Sequence, residues 1–156
     1  MNAPARTPNP DYVAALLDSV NSAPYLQTVG FRIVDIGLDC SRMEMEIDGR
    51  QLQNIGSVHG GALASLIDAA TYWATFLRLP QDTGQVNVDL KLNYLKPAVG
   101  GRIVAAGRCL RAGRTISYAE CSVRDARGEL LAHGTSTLMA LPGQGLPLPH
   151  PKFLES

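Results

Sequence analysis

The sequence predicts an α+β domain in which a mostly antiparallel, curved sheet of about six strands wraps around one long central helix. One segment of helical period is apolar around well over half of its circumference, which is typical of a helix enclosed on most sides. The strand-like segments follow one another without strand–helix–strand alternation, and this order favours antiparallel pairing. At 156 residues, the chain fits a single domain of this kind.

The N-terminal part of the chain predicts one helix and two strands. Residues 1–9 are rich in proline, asparagine and alanine, and we expect them to be disordered. A helix begins at Pro10 and ends near residues 21–24, because apolar residues recur at helical spacing between these points. Residues 31–36 form the first predicted strand. In residues 42–48, methionine and isoleucine alternate with charged residues, which indicates a second strand with one solvent-exposed face.

The central helix is predicted from the most unusual segment, VHGGALASLIDAATYWATFLRLP. Its apolar residues cover most of the helical surface rather than one stripe, which indicates burial on several sides. These apolar positions are Ala62, Leu63, Leu66, Ile67, Ala70, Trp73, Ala74 and Leu77. Proline cannot continue a helix, so we expect this one to end at Pro80 with Arg78 in its last turn.

The remaining strands follow in hairpin succession. Residues 85–94 alternate between apolar and polar side chains, which indicates a long amphipathic strand. Residues 103–110 and 115–123 flank a tight turn, and residues 129–141 form the last predicted strand.

The chain therefore divides into a disordered N-terminus (1–9), one domain (10–141) and a Pro/Gly-rich tail (142–156) that is not expected to hold regular structure alone. Charged residues make up only 18% of the sequence. That fraction is low for a monomer that must cover its whole surface, so we expect part of the surface to be buried against copies of the same chain.

Composition excludes several classes of function. The 14 basic and 14 acidic residues balance, which argues against a nucleic-acid partner or a polybasic membrane binder. Three cysteines without CxxC spacing suggest neither a zinc site nor a disulfide scaffold. The N-terminus lacks the apolar core of a signal peptide, and the longest apolar stretch contains Asp68. We expect a cytoplasmic protein that needs no metal and does not enter a membrane.

Two features of the central segment point to chemistry. His59, Gly60 and Gly61 stand at the start of the helix, where bare backbone N–H groups and the positive end of the helix dipole favour developing negative charge. An oxyanion hole for acyl transfer needs this arrangement. Asp68 lies inside the apolar helix, where a carboxylate is costly unless it is paired or functional.

Gly60 and Asp68 are too far apart to act on one carbonyl group from the same helix. Asp68 stands eight positions after Gly60, which corresponds to about 12 Å along a helix. A base and an oxyanion donor must both approach the carbonyl to within ~3–3.5 Å. If both act, Gly60 of one subunit faces Asp68 of another, and the protein is at least a homodimer.

The stretch QNIGSVHGGALASLIDAATYWAT and the strand VNVDLKLNYLKPA resemble the hotdog-fold acyl-CoA thioesterases of the phenylacetate-degradation (PaaI-like) subgroup. The resemblance runs from about Val29 to Leu141. It implies an antiparallel sheet around a central helix, assembly into dimers and often homotetramers, and hydrolysis of acyl-CoA thioesters. It implies no cofactor, since coenzyme A is part of the substrate.

The resemblance also implies roles for individual residues. Asp68 matches the catalytic carboxylate, as general base on water or as nucleophile, and the Gly60 N–H matches the donor to the thioester carbonyl. His59 matches a histidine that shapes the loop or assists near the thioester; capping of the helix and direct catalysis both remain open. Gln53, followed by Asn54, stands where many members carry Asn, and it can still reach a carbonyl or water.

Further positions are expected to contact the substrate. Asn87 falls where some relatives carry a serine that helps to place the water, and Tyr72 lies one turn after Asp68, where it lines the acyl pocket or belongs to the core. The expected substrate-binding set is Asn54, Gly61, Tyr72, Asn87 and Val88. The candidates for binding the CoA phosphates are Lys96, Arg111 and Arg114.

Three functions remain as alternatives at this point. The resemblance favours a thioesterase that acts on a small aromatic or a short- to medium-chain acyl-CoA. An enoyl-thioester hydratase or dehydratase could use the same fold, although such enzymes generally pair a histidine with an acidic residue in other motifs. A non-catalytic acyl-CoA-binding protein is the third, and the acid at position 68 argues against it, because a sensor needs no buried base.

Overall fold

The structure is a computed structural model that describes residues 7–154. Three helices and six strands follow one another along the chain. They are α1 (Pro10–Asn21), α2 (Pro24–Val29), β1 (Phe31–Gly37), β2 (Cys40–Ile47), α3 (Gly60–Phe76), β3 (Thr83–Tyr94), β4 (Gly101–Ala112), β5 (Ile116–Asp125) and β6 (Leu130–Pro142).

The six strands form one antiparallel sheet in the order β1-β2-β4-β5-β6-β3. Helix α3 lies across one face of the sheet and contacts all six strands. The predicted α+β class is confirmed, with the sheet curved around the long apolar helix. Strands β1 and β3 are the two edges of the sheet, and β3 is the longer of them.

The contact between α3 and the sheet is close enough to require glycine in the strand beneath it. A Cβ atom at Gly107 of β4 would lie 2.3 Å from the carbonyl oxygen of Ala70, so no larger residue fits there. The hydroxyl of Ser41 on β2 donates to the same carbonyl at 2.7 Å and is buried with it. Leu66, Ile67 and Ala70 are fully buried in the core between helix and sheet.

Helix α2 is absent from the sequence prediction. It begins at Pro24 and ends at Val29, and its C-cap Gly30 adopts a left-handed φ of 85°. With six residues, the segment is too short to show a helical period, and no element is predicted between the end of α1 and the strand at residue 31.

The end of the central helix was predicted too late in the chain. Helix α3 ends at Phe76, with Leu77 as its C-cap, so Arg78 lies beyond the last turn. Arg78 instead forms a salt bridge with Asp39 in the turn between β1 and β2. Asp39 has a positive φ of 70°, and this ion pair ties that turn to the end of α3.

The C-terminal tail packs against the domain without forming a helix or strand. Lys152 is only 2% exposed, and its ammonium group lies 3.0 Å from the Pro80 carbonyl and 3.3 Å from that of Leu79, just beyond α3. It also lies 4.1 Å from the centre of the Phe76 ring. Burial lowers the pKa of this amine to about 8. The lysine therefore anchors the tail to the turn that follows α3.

The N-terminal prediction falls partly outside the described residues, because residues 1–6 are not among them. Residues 7–9 contact the tail: the Asn9 N–H donates to the Lys152 carbonyl at 2.9 Å, and the Thr7 carbonyl accepts from Leu154 at 3.1 Å. The Asn9 side chain also caps α1. No helix within residues 7–154 is long and apolar enough to cross a membrane.

The buried lysine predicts a measurable contribution to stability. Lys152→Ala should lower the free energy of unfolding by about 2 kcal/mol or more, because carbonyls at the end of α3 lose a charged donor and Phe76 loses a packing partner. Urea denaturation measures the change. Arg127→Ala, an exposed basic residue in the turn between β5 and β6, is the control and should change stability by less than ~0.5 kcal/mol. Equal stability of Lys152→Ala and wild type would show that the tail does not hold this end of the helix.

Candidate active site

The sheet leaves one strip of α3 uncovered, and the candidate site lies along this strip. Gly61, Ser65 and Asp68 recur on it at helical spacing and are exposed or half-buried, whereas most other positions of the helix are buried. Ser65 donates to the Gly61 carbonyl at 2.8 Å. Ser65 and Asp68 are thus on the open strip of the helix, where a ligand can reach them in the single chain.

His59 is the N-cap of α3. Its Nδ1 atom accepts a hydrogen bond from the Gly61 N–H at 2.8 Å, and its side chain is exposed. An imidazole nitrogen that accepts carries no proton, so in this arrangement the proton of the neutral ring lies on Nε2. Of the two roles left open by the sequence, the structure displays the capping role.

The peptide unit between Gly60 and Gly61 is held at both ends. His59 accepts from its N–H, and the Tyr94 hydroxyl donates to its carbonyl at 2.9 Å. A Cβ atom at Gly60 would lie 2.9 Å from the Tyr94 ring, which explains glycine at this position. The Gly60 N–H itself has no acceptor among the described residues. A free donor therefore stands at the positive end of the helix dipole, held in place by two side chains.

A cavity of about 400 Å³ opens beside Gly60. Gln53 and Lys96 line it together with Tyr94. The Gln53 amide donates to the Ser57 hydroxyl at 2.8 Å, so this side chain also stabilises its own loop. Asn54, the next residue, is exposed. The structure thus brings the predicted Gln53 and Gly60 to one cavity.

Asp68 lies in a second cavity of about 430 Å³. The side chains around it are largely apolar and include Leu26, Phe31 and Leu90. Although Asp68 is exposed at the surface of the single chain, the surrounding atoms remove enough water from the carboxyl group to raise its pKa. A carboxylate that is more basic than usual, beside an apolar cavity, is suited to accept a proton.

Asn87 on β3 contacts Asp68 directly. Its Nδ2 donates to the Asp68 carboxylate at 2.7 Å and to the Asp68 main-chain carbonyl at 3.1 Å. The first of these bonds stabilises the charged form and lowers the pKa of Asp68, against the larger effect of burial. The Asn87 Oδ1 is buried and has no partner among the described residues. Asn87 therefore orients the carboxylate in this chain.

A β-bulge after Asn87 puts Asn87 and Leu90 on the same face of β3, towards the helix. The register between β3 and β6 shifts between Asn87 and Asp89, so Val88 is an extra residue and is 52% exposed. The Asp89 carboxylate accepts from the Thr137 N–H at 2.9 Å, and the Ser136 hydroxyl donates to the Asp89 carbonyl at 2.7 Å. These two bonds fix the bulge.

The structure separates Gly60 from Asp68 within one chain. They lie on the same helix and line different cavities. Tyr72, a predicted pocket residue, is half-buried with its ring centre 4.8 Å from that of Trp73 and 6.0 Å from that of Phe76. The structure therefore places Tyr72 with the aromatic core.

The three candidate CoA-binding residues lie at opposite ends of the sheet. Lys96 follows the end of β3, shares the cavity with Gly60 and forms a salt bridge with Glu129. Arg111 and Arg114 are exposed at the hairpin between β4 and β5. One chain does not bring these cations together around a phosphate group.

Sequence reasoning missed Tyr25, Ser65 and Tyr94 as residues of the site. Ser65 could have been found from its position four residues after Gly61 and three before Asp68, which places it on the same helical face. Tyr94 belongs to the quoted strand motif, but its bond to the Gly60 carbonyl depends on tertiary packing. Tyr25 lies on the unpredicted helix α2, and the sequence gives no signal for its position.

Comparison with known proteins identifies the family. A family model described as the thioesterase superfamily matches residues 55–132, half of the chain. The chain belongs to the thioesterase superfamily. The family expected from the sequence is confirmed.

Individual relatives agree with this assignment. Human acyl-coenzyme A thioesterase 13 is 31% identical over 96 residues, which cover 60% of this chain and 68% of that protein. A protein of Caenorhabditis elegans is 34% identical over 103 residues, 65% of this chain, and the match spans only 60% of that relative.

Solved structures share the fold. A thioesterase from Haemophilus influenzae superposes with a TM-score of 0.77 at 25% identity, covering 86% of this chain and 92% of that structure. The PaaI protein of the E. coli phenylacetic acid degradation operon gives a TM-score of 0.76 at 17% identity, with 85% of this chain and 95% of that one covered. At 17% identity, the similarity to the PaaI protein shows a shared fold only. Together they confirm the hotdog fold.

The capping role of His59 predicts a specific pattern of stability. His59→Ala removes the acceptor for the Gly61 N–H and should destabilise the protein by about 1 kcal/mol. His59→Asn, whose carbonyl oxygen can accept the same bond, should stay within ~0.5 kcal/mol of wild type. Thermal or urea denaturation of both variants measures this. If His59→Asn is as destabilised as His59→Ala, the hydrogen bond that the His59 side chain accepts from the Gly61 N–H does not stabilise the protein.

Proposed function

We propose that this protein is an acyl-CoA thioesterase that hydrolyses a small aromatic or a short- to medium-chain acyl-CoA to the free acid and coenzyme A. The observation that supports this most strongly is the Asp68 carboxylate, which is made more basic by burial, held by Asn87 and placed beside an apolar cavity. An acyl tail needs the apolar surface, and hydrolysis needs the base. The reaction requires no metal or redox cofactor.

In the proposed reaction, Asp68 takes a proton from a water molecule, and the oxygen of that water attacks the thioester carbonyl carbon. The carbonyl oxygen becomes an oxyanion and accepts from the Gly60 N–H, which has no competing acceptor within residues 7–154. The C–S bond then breaks, the CoA thiolate leaves, and the proton held by Asp68 returns to the sulfur. His59 and Tyr94 act as positioning residues for the donor, and Gln53 is proposed to contact the thioester or the water from the same cavity.

The proposed site is shared by two chains. Strand β3 is a free edge of twelve residues, with Val86 40% and Val88 52% exposed, which suits pairing with another copy. Within each chain, Gly60 is bonded to Tyr94 at one end of β3, and Asp68 is bonded to Asn87 nearer the other end. Antiparallel pairing of two β3 edges would place the partner's Gly60 towards Asp68. The arrangement completes both sites of a homodimer.

We further propose that two such dimers form a homotetramer through the sheet face that does not contact α3. Ile116 (46%), Met139 (36%) and Val86 (40%) are exposed on neighbouring strands of this face, and apolar patches of this kind favour burial against another copy. Antiparallel pairing also brings the Lys96 end of one chain towards the partner end that carries Arg111 and Arg114. We propose that these cations bind the CoA phosphates from different chains.

The role of Asp68 predicts a large loss of turnover. Asp68→Asn should reduce kcat for acyl-CoA hydrolysis by about 10²–10⁴-fold while leaving the fold and oligomer intact, because the amide cannot take a proton from water. A thiol-detecting reagent measures CoA release across aromatic and straight-chain substrates. Asp18→Asn, an exposed acid on α1, is the control and should keep wild-type turnover. Near-normal turnover in Asp68→Asn would refute the proposed role, and hydration of a crotonyl thioester would instead indicate a hydratase.

The hydrogen bond from Asn87 predicts a change in pH dependence. Hydrolysis requires ionised Asp68, so kcat/KM should fall as the pH drops through the pKa of this carboxyl group. Asn87→Ala removes a donor that favours the ionised form, so this pKa should rise and the acidic limb of the profile should move to higher pH. Asn93→Ala, an exposed asparagine on the same strand, should leave the limb in place. An acidic limb that stays in place, or moves to lower pH, in Asn87→Ala contradicts this coupling.

A further inference from the structure

Two cavities lie next to each other along the uncovered strip of α3. One contains Asp68, and the other, of about 420 Å³, is lined by residues that include His59 and Gly61. Tyr25 and Ser65 line both cavities. The contact between these two side chains is therefore the wall that separates one cavity from the other.

The wall is closed by a hydrogen bond between α2 and α3. The Tyr25 and Ser65 hydroxyl oxygens lie 2.6 Å apart, and the Ser65 hydroxyl also lies 2.8 Å from the Gly61 carbonyl. A serine hydroxyl has a single proton, which is directed to this carbonyl, so Tyr25 is the donor in the contact between the two side chains. Tyr25 is 58% exposed, which leaves this bond as its main polar restraint.

The two cavities differ in chemistry on either side of this wall. Apart from Asp68, the Asp68 cavity is lined by apolar side chains and by the two hydroxyl groups of the wall. The lining of the other cavity, beside His59, includes Thr28, Arg50 and Gln51. An uncharged, apolar group would therefore favour the Asp68 cavity and would lose that environment once it passed Tyr25.

We propose that Tyr25 determines substrate specificity by closing the acyl cavity, which restricts the enzyme to compact, uncharged acyl groups such as a single aromatic ring or a short chain. The proposal rests on the thioesterase function proposed above. Ser65 lies one helical turn before Asp68, about 5 Å along the axis. A tail that extends from Asp68 towards the start of α3 meets Tyr25 within that distance. A longer tail must displace the ring and break its bond to Ser65.

The acyl-length profile of variants tests this. For wild type and each variant, kcat/KM is measured by thiol release with acetyl-, hexanoyl-, phenylacetyl-, lauroyl- and palmitoyl-CoA. Tyr25→Ala joins the two cavities and should raise the ratio of kcat/KM for lauroyl-CoA to that for hexanoyl-CoA by at least about tenfold. Tyr25→Phe and Ser65→Ala each remove the hydrogen bond between the two side chains and keep the Tyr25 ring, so both should raise the ratio by a smaller factor, about two- to fivefold. Leu154→Ala, an exposed residue of the C-terminal tail that lines neither cavity, should leave it unchanged.

The outcomes separate this inference from the proposed function. If wild type hydrolyses these substrates and the ratio is unchanged in Tyr25→Ala, the inference is wrong while the thioesterase function stands. If wild type hydrolyses none of them, the proposed function fails and the inference fails with it. Should Tyr25→Ala not fold, an unchanged ratio in both Tyr25→Phe and Ser65→Ala overturns the inference, and a rise in both supports it.

Discussion

The enclosure of α3 by the sheet is the constraint on which the rest of the structure depends. The helix contacts all six strands, and at Gly107 the strand backbone approaches so closely that a side chain has no room. Burial of this apolar helix supplies much of the core. One strip of the helix remains open, and Gly61, Ser65 and Asp68 recur along it. The packing that stabilises the fold thus also determines where chemistry can occur.

The same constraint explains why the site needs elements from outside the helix. A straight helix holds Gly60 and Asp68 apart, and the rigid packing of α3 leaves no means of bringing them together. Strand β3 contacts both regions, through Tyr94 at Gly60 and through Asn87 at Asp68. Its other edge is free of partners within residues 7–154. An edge strand that orients both halves of the site is well placed to join them across two chains.

An element can be predicted from the sequence when local interactions form it, and not when contacts between distant parts of the chain form it. Helix α3 and the strands carry periodic patterns over many residues, so the sequence predicts them and their antiparallel order. Helix α2 is too short to show a period. The region at the end of α3 is held by long-range contacts, of Arg78 with Asp39 and of Lys152 with the Pro80 carbonyl. In the site, the Gly60 region and Asp68 could be inferred from local chemistry. The contact of Asn87 with Asp68 could not, because it depends on the bulge at Val88.

The shared site is tested most directly by complementation between two inactive variants. Gly60→Pro removes the N–H donor at a helix position that accepts proline, after a His59 backbone that is already extended at φ −63° and ψ 136°. Gly60→Ala adds a similar Cβ contact with Tyr94 but keeps the donor, so it controls for steric effects. Co-expression of Gly60→Pro with Asp68→Asn in equal amounts should restore roughly a quarter of wild-type turnover, because half of the dimers are mixed and each mixed dimer has one intact site. Mixed dimers that form and show no recovery would place both groups in one chain and contradict the account.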